Sequence, residues 1–458
     1  MPANSPIFPR PSGCSVPLTA MQLYSWRHYS KQGSPPNRRM CAASLRIVGR
    51  LDSCLLANSI EIVVNRHESL RTRFVTDDEV PRQHIDPRRS FELLAVDLAT
   101  KKFQSDNALN LDSVTREFLD EKVDLSVGPM FAAKLWRLSE QEHVLVLALD
   151  HIVGDSISNV ILTREILDIY GKGSMGLPLS SPKLALQFPD YAVWQEQVLE
   201  SWRQKHESYW KNRLEGVSTV RLPKVEDSVP SAHSVVATRH FGFGASLSAQ
   251  LRRISQRERI PLPAVVLTAY AIVMSQWCNQ HDLLVSFASH GRHHRPELEG
   301  MIGFLACWTF LRIDTTQEST LLFLLRHVSQ EFSAALEHQE YFMVPDTFPK
   351  IVTEVEFNWL PAHTTADSVS RIQIGNGEVQ IQPYSVKSLG FVGRFHPFFY
   401  DSRSGIGLTV HYRPSQMAPD VVQQFGSDVR RIASDIAERP QARISSLSER
   451  YGSSSPLQ

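Results

Sequence analysis

The sequence predicts an α/β protein of two lobes. Apolar runs of strand length alternate with segments of helical periodicity in both halves of the chain. A stretch rich in Gly, Pro and Ser parts the halves, and 458 residues exceed what one hydrophobic core usually organises. Residues 1–16 are Pro- and Ser-rich and are expected to be poorly ordered. Residues 17–178 are expected to form the first lobe and 179–458 the second.

The elements follow in order. Ala42–Ile47 reads as a short strand, and Asp52–Asn65 as a helix with Leu55, Leu56, Ile60, Val63 and Val64 near helical spacing. His143–Leu149 is a run of Val, Leu and Ala with no turn former, so it reads as a strand covered on both faces. It ends in the polar cluster Asp150–Ser158, after which Ile157, Val160, Ile161, Leu167 and Tyr170 mark one side of a helix. Gly171–Pro189 holds three Gly, three Pro and three Ser, the best internal boundary. Beyond it come a helix rich in Trp and charge (Asp190–Gly216), a buried helix (Leu262–Trp277) and a strand (Leu283–Ala288). Val422, Phe425, Val429, Ile432 and Ile436 step by three and four along a last helix, stopped by Pro440.

Composition excludes several classes of function. The chain carries 48 Lys+Arg and 48 Asp+Glu, so no overall charge draws it to nucleic acid or to an anionic membrane. The longest apolar stretch, Ile260–Trp277, is broken by Pro261, Pro263, Thr268, Ser275 and Gln276 and reads as a core helix, not a membrane span. The N-terminus lacks the basic and apolar regions of a secretory signal, and five scattered cysteines offer neither a disulfide framework nor a zinc site. A cytoplasmic monomer is the expectation.

The polar cluster admits two readings on spacing. Asp155, Ser156 and Ser158 are residue types that cap helices, which would leave His151 an ordinary hydrogen-bonded histidine. Alternatively, His151 stands at the mouth of a cleft, where a neutral imidazole accepts or steers a proton. The histidines of Ser289–His294 suggest a metal only weakly, because Arg292 and Arg295 would repel a cation; no metal and no permanently bound cofactor are expected.

Resemblance adds to this reading. Asp150–Ser158 resembles the HHxxxDG signature of condensation domains of non-ribosomal peptide synthetases, in the chloramphenicol-acetyltransferase-like superfamily. Pro17-Leu-Thr-Ala-Met-Gln22 resembles the opening PLSxxQ motif, Arg66–Phe74 the RHExLRTxF motif, and Asp190–Gln195 the DYAxWQ motif. Gly291–Phe304 is similar to the GRxRPELExxIGFF segment, and Gly407–Tyr412 to the closing segment. These matches fall in the family's order from Pro17 to Leu447. The resemblance implies two similar lobes in a V-shaped pseudo-dimer around a central tunnel. It further implies that an acyl group tethered to the phosphopantetheine of a carrier protein meets an amine or hydroxyl nucleophile there. His151 matches the second motif His, the catalytic or orienting residue. Asp155 matches the mainly structural Asp, whose Arg partner would be Arg292.

Departures from the pattern bear on mechanism. Asp150 stands where the first motif His would be, and it is expected to face away from His151 along the strand. Asp150, Asp155 and Ser158 also spell D-x-x-x-x-D-x-x-S, which resembles heterocyclisation domains. Ser156 replaces the motif Gly and would narrow the site or add a hydrogen bond. Cys307 and Trp308 fall where the family has Asn and Thr; Trp308 either reshapes the tunnel or fills core, and Cys307 reads as a small buried hydrophobe. No carrier-type GGxS site and no GxxxxGK[ST] loop are present, so the expectation is a free-standing enzyme with its carrier protein supplied in trans. The rivals are heterocyclisation, transfer from acyl-CoA, and a degenerate domain that recruits a partner.

Overall fold

The computed structural model describes residues 5–31, 40–99, 108–121, 123–222, 236–292, 295–316, 319–344, 346–347, 353–360, 370–374, 377–383, 394–402 and 404–447. The chain divides into two compact units: Met1–Ser201 with His290–Ala306 and Ala366–Gly390, and Trp202–Ser289 with Cys307–Thr365 and Phe391–Gln458. Both are mixed α/β.

The first unit is built on a six-stranded sheet in the order Ser370–Ile374, Gly377–Pro383, Met40–Val48, Glu142–Asp150, Phe131–Ser139, Leu94–Asp97. Its pairs are antiparallel except the last, which is parallel. Glu142–Asp150 lies in mid-sheet, and the two-residue period of a strand sends its side chains alternately to two cores. Leu145, Leu147 and Leu149 pack with Ile60 and Val63 of helix Ser53–Arg66 and with Ile161 and Leu162 of helix Ser156–Ser174. Val144, Val146 and Ala148 pack with Leu111, Phe118 and Leu119 of helix Ala108–Leu119. A strand covered on both faces needs no polar positions, which is why its sequence is an unbroken apolar run. Each fully buried Leu or Val is worth roughly 1.5–3 kcal/mol relative to exposure.

The second unit has its own six-stranded sheet in the order Cys307–Asp314, Asp282–Ser289, Glu356–Leu360, Phe395–Ser402, Gly405–Tyr412, Ala237–Gly242. Helices Leu262–Cys278, Leu321–Glu337 and Pro419–Glu438 share its core. Leu262–Cys278 is apolar all round because it is buried along almost its whole length. Among the described residues no single helix is long and apolar enough to cross a membrane.

Two segments singled out in the sequence are placed as follows. The expected break at 178/179 falls inside the first unit, and the Gly171–Pro189 connection, mostly exposed or half-buried, is hydrogen-bonded to the turn at 66–68. Arg66 Nε donates to Pro182 O (2.9 Å), Gln187 Nε2 donates to Arg66 O (3.0 Å), and Glu68 N donates to Gln187 Oε1 (3.0 Å). The N-terminal segment from Ser5, within the stretch expected to be poorly ordered, lies against the first unit. Ile7 is buried, Trp194 Nε1 donates to Ser5 O, and Arg10 bridges Asp190 and Glu68 at 2.8 Å each.

Candidate functional site

The strand Glu142–Asp150 delivers a tight turn, 151–153, and Asp155 then caps the helix Ser156–Ser174 through a bond from Ser158 N to its carboxylate (2.8 Å). Half-buried His151 sits at the start of that turn. Its Nδ1 lies 2.8 Å from Gly154 O. A carbonyl only accepts, so Nδ1 carries a proton, and in the neutral imidazole the lone pair is then on Nε2. The imidazole also lies against the Phe304 ring, centroids 4.3 Å apart. Gly154 is buried and has no room for a side chain: a Cβ would strike Leu149 and come within 3.2 Å of Ser158. The sequence reading missed Gly154, although a Gly directly before a helix cap was the available signal.

Asp155 is the centre of the network. Its Oδ1 accepts from Ser158 N and Ser158 Oγ (2.8 Å each) and from Arg292 Nη2 (3.1 Å). Its Oδ2 accepts from Arg292 Nη1 (2.9 Å), Ala306 N (3.0 Å) and Leu305 N (3.2 Å). Burial pushes this carboxylate's pKa up, but the Arg292 guanidinium and the Ser158 donors outweigh burial and hold it below the usual value. Arg292 is buried as well and donates onward to His290 O (2.9 Å) and Met301 O (3.0 Å). Ser158 Oγ accepts from Gly303 N at 3.1 Å. The fork-to-fork pair thereby ties the helix cap to the 290–306 segment. Gly291 lets that segment close: it adopts φ +69°, and a Cβ there would run into Leu305 O.

The helix itself is held by a second network. Glu165 lies 2.9 Å from His67 Nε2 and 2.5 Å from Arg66 Nη1, which ties the RHExLRTxF segment to helix Ser156–Ser174.

The structure thus gathers His151, Asp155, Ser158 and Arg292 in one place. Asp150 is buried, and its Oδ1 accepts from Ile152 N (3.1 Å) and Tyr29 Oη (3.3 Å). It continues the even-numbered side of its strand, opposite Leu149. Ser156 is exposed at the first helical position. Cys307 and Trp308 belong to the second unit, on strand Cys307–Asp314. There Cys307 Sγ lies 3.5 Å from Gln339 Oε1, and burial, with Glu340 nearby, pushes its thiol pKa well up; Trp308 is half-buried. His293 and His294 lie outside the described residues. Among the described residues, no group of three or more His, Cys, Asp or Glu side chains is placed to hold a metal ion.

Comparison with known proteins assigns the family. The family model for the condensation domain matches residues 14–449. Chondramide synthase cmdD of Chondromyces crocatus is 28% identical over 374 residues, 80% of this chain and 9% of that protein. Bacitracin synthase 3 of Bacillus licheniformis is 25% identical over 411 residues, 88% of this chain and 6% of the synthase. The chain therefore spans a small fraction of the length of these relatives. Among solved structures, the X-domain from teicoplanin biosynthesis superposes with a TM-score of 0.79 at 23% identity, over 96% of this chain and 99% of that one. The first condensation domain of the calcium-dependent antibiotic synthetase gives 0.75 at 17% identity, over 95% and 99%. With the motifs in order, the fold shared and the family model matched over nearly the whole length, the chain belongs to the condensation-domain family of the non-ribosomal peptide synthetases.

Proposed function

We propose that this condensation domain joins an acyl or aminoacyl thioester, carried on the phosphopantetheine of a carrier domain, to an amine or hydroxyl nucleophile. The observation that carries the reading is the held imidazole of His151, with its proton fixed on Nδ1 by Gly154 O and its ring against Phe304. In the reaction a new C–N or C–O bond forms and the C–S bond breaks. The nucleophile's proton passes to the departing thiolate, and Nε2 of His151 is the group that accepts, relays or steers it. Positioning of two tethered reactants supplies much of the remaining acceleration. Asp155 and Arg292 act in this reading as positioning residues: their pair fixes the turn that carries His151, and neither needs to touch substrate. Asp150 serves the turn by accepting from Ile152 N.

A second reading, a domain that recruits a partner without catalysing transfer, is favoured by Asp150 and Ser156 standing in for the motif His and Gly. The X-domain of teicoplanin biosynthesis, which shares this fold, has been solved in complex with OxyB.

The test uses carrier proteins loaded with candidate donors, a pool of amines and alcohols, and wild type beside His151→Ala, read by mass spectrometry. Product from wild type alone supports the catalytic reading, and its mass identifies amide or ester. A further loss of one water indicates heterocyclisation. Product from acyl-CoA but not from the same acyl carrier thioester assigns a different donor. Equal restoration of product by both proteins in a reconstituted pathway overturns catalysis and favours recruitment.

A further inference from the structure

The first unit contains a second feature that the condensation reading does not use. A cavity of about 1110 Å³ lies beside the N-terminal segment 9–13 and the 181–187 connection. Its lining carries five cations, Arg10, Arg66, Arg71, Arg88 and Lys183, against three carboxylates, Glu61, Glu68 and Asp190.

The internal pairings show which charges remain unanswered. Arg10 takes Asp190 and Glu68 at 2.8 Å each, Arg66 is spent on Glu165 at 2.5 Å, and Glu61 accepts from Phe91 N at 2.9 Å. Arg88 and Lys183 are exposed and have no anionic partner among the described residues. The Arg71 side chain is only 10% exposed; its Nη1 donates to Asp86 O, and its Nη2 reaches Glu68 only at a long 3.5 Å, a weak pairing that leaves its charge the least answered of the buried cations.

The exposed cations also stand on braced backbone. Asn65 brackets Arg89, donating to its carbonyl (2.9 Å) and accepting from its N–H (3.1 Å), which holds the loop bearing Arg88. Arg66 Nε holds Pro182, next to Lys183. Cations on fixed supports lose less freedom when a ligand arrives.

We propose that this cavity binds a phosphate ester. The phosphate would be met by Arg71, Arg88 and Lys183, and the organic part would lie on the apolar wall of Pro11, Ile62 and Leu184. Three cations exceed what a single carboxylate needs, whereas a multiply charged phosphate offers several acceptor oxygens to guanidinium and ammonium donors. The volume leaves room for an organic group of nucleotide size. The proposal stands independently of the role of His151.

The test is calorimetric titration of the full chain with inorganic pyrophosphate and with ADP, at low and high salt. The expected result is saturable binding of both that weakens as salt is raised, with ADP tighter by about threefold or more. The double variant Arg88→Glu/Lys183→Glu should bind at least about tenfold more weakly, with an unchanged thermal unfolding curve showing that the fold survives. Absence of saturable binding by either probe overturns the proposal, as does a well-folded double variant that binds like wild type. ADP binding no tighter than pyrophosphate would overturn the assignment of the apolar wall.

Discussion

Replacing Asp155 by Asn tests the central structural argument because it removes one charge while keeping the size of the side chain. The wild-type carboxylate accepts six hydrogen bonds, two from the Arg292 guanidinium, two from Ser158, and one each from the backbone of Leu305 and Ala306. The amide that replaces one oxygen is a donor, and it must face either Arg292 or the Leu305 and Ala306 N–H groups. In either orientation the buried Arg292 loses its counter-charge. Breaking one side of a buried ion pair costs about 3–5 kcal/mol. At about 2–4 °C per kcal/mol for a folding unit of this size, the melting temperature should fall by about 6–20 °C. Arg292→Met should cost a similar amount, about 3–5 kcal/mol, because it leaves the buried Asp155 carboxylate without its counter-charge. The double variant should be less damaged than the sum of the singles, with a coupling of about 0.5–3 kcal/mol. Denaturant unfolding of the four proteins with a common m-value measures all three quantities. Asp155→Asn within about 1 kcal/mol of wild type, or singles that add without coupling, would refute the account of the site.

Two further expectations concern titration and thiol chemistry. Burial pulls His206 and His411 down to about 4, reinforced by Lys205 and His338 in one case and by His396 and His240 in the other. A depressed folded pKa means stability that is full above the ordinary histidine value of about 6.5 and is lost as pH falls toward 4. The second unit should therefore weaken through that window, and His206→Gln with His411→Gln should flatten the limb; an unchanged slope would count against it. Asp155 and Glu165, both held below their usual values, contribute stability that is lost only at lower pH, as the pH falls through their folded pKa values. Among thiols, Cys54 is exposed, whereas burial raises Cys278 to about 12 and pushes Cys41 and Cys307 up further still. A disulfide reagent should label Cys54 first in the native protein. Fast native labelling of Cys41 or Cys307, mapped by peptide mass, would contradict their packing.

Much of this arrangement is legible in the residues. The apolar run before Asp150 marked a covered strand, and the observed strand is Glu142–Asp150. Asp52, at the predicted start of a helix, is its N-cap, with Leu55 N donating to the side chain at 2.9 Å. The pairing of Asp155 with Arg292, implied by resemblance, is present as a bidentate bond. Other features had no local signature. Glu356–Leu360 is parallel to both neighbours in its sheet, and periodicity carries no information about partners 40–70 residues away. The role of Gly154 follows from a collision with Leu149, and the placement of the N-terminal segment involves a bond from Arg10 to Asp190, far along the chain.

The sequence by itself determined what repeats locally: which runs are buried, where helices begin, and which motif residues stand in which order. Those are set by side-chain chemistry and by periods of 2 and 3.6 residues. Only the tertiary structure decided that His151 has its proton on Nδ1, that Asp155 receives six donors, and that Arg88 and Lys183 stand without carboxylates beside a cavity. Each of these depends on an atom brought in from elsewhere, Gly154 O around a turn or Arg292 from a segment 137 residues away. Hydrogen bonds act over about 3 Å in space, and no local pattern in the chain records that distance.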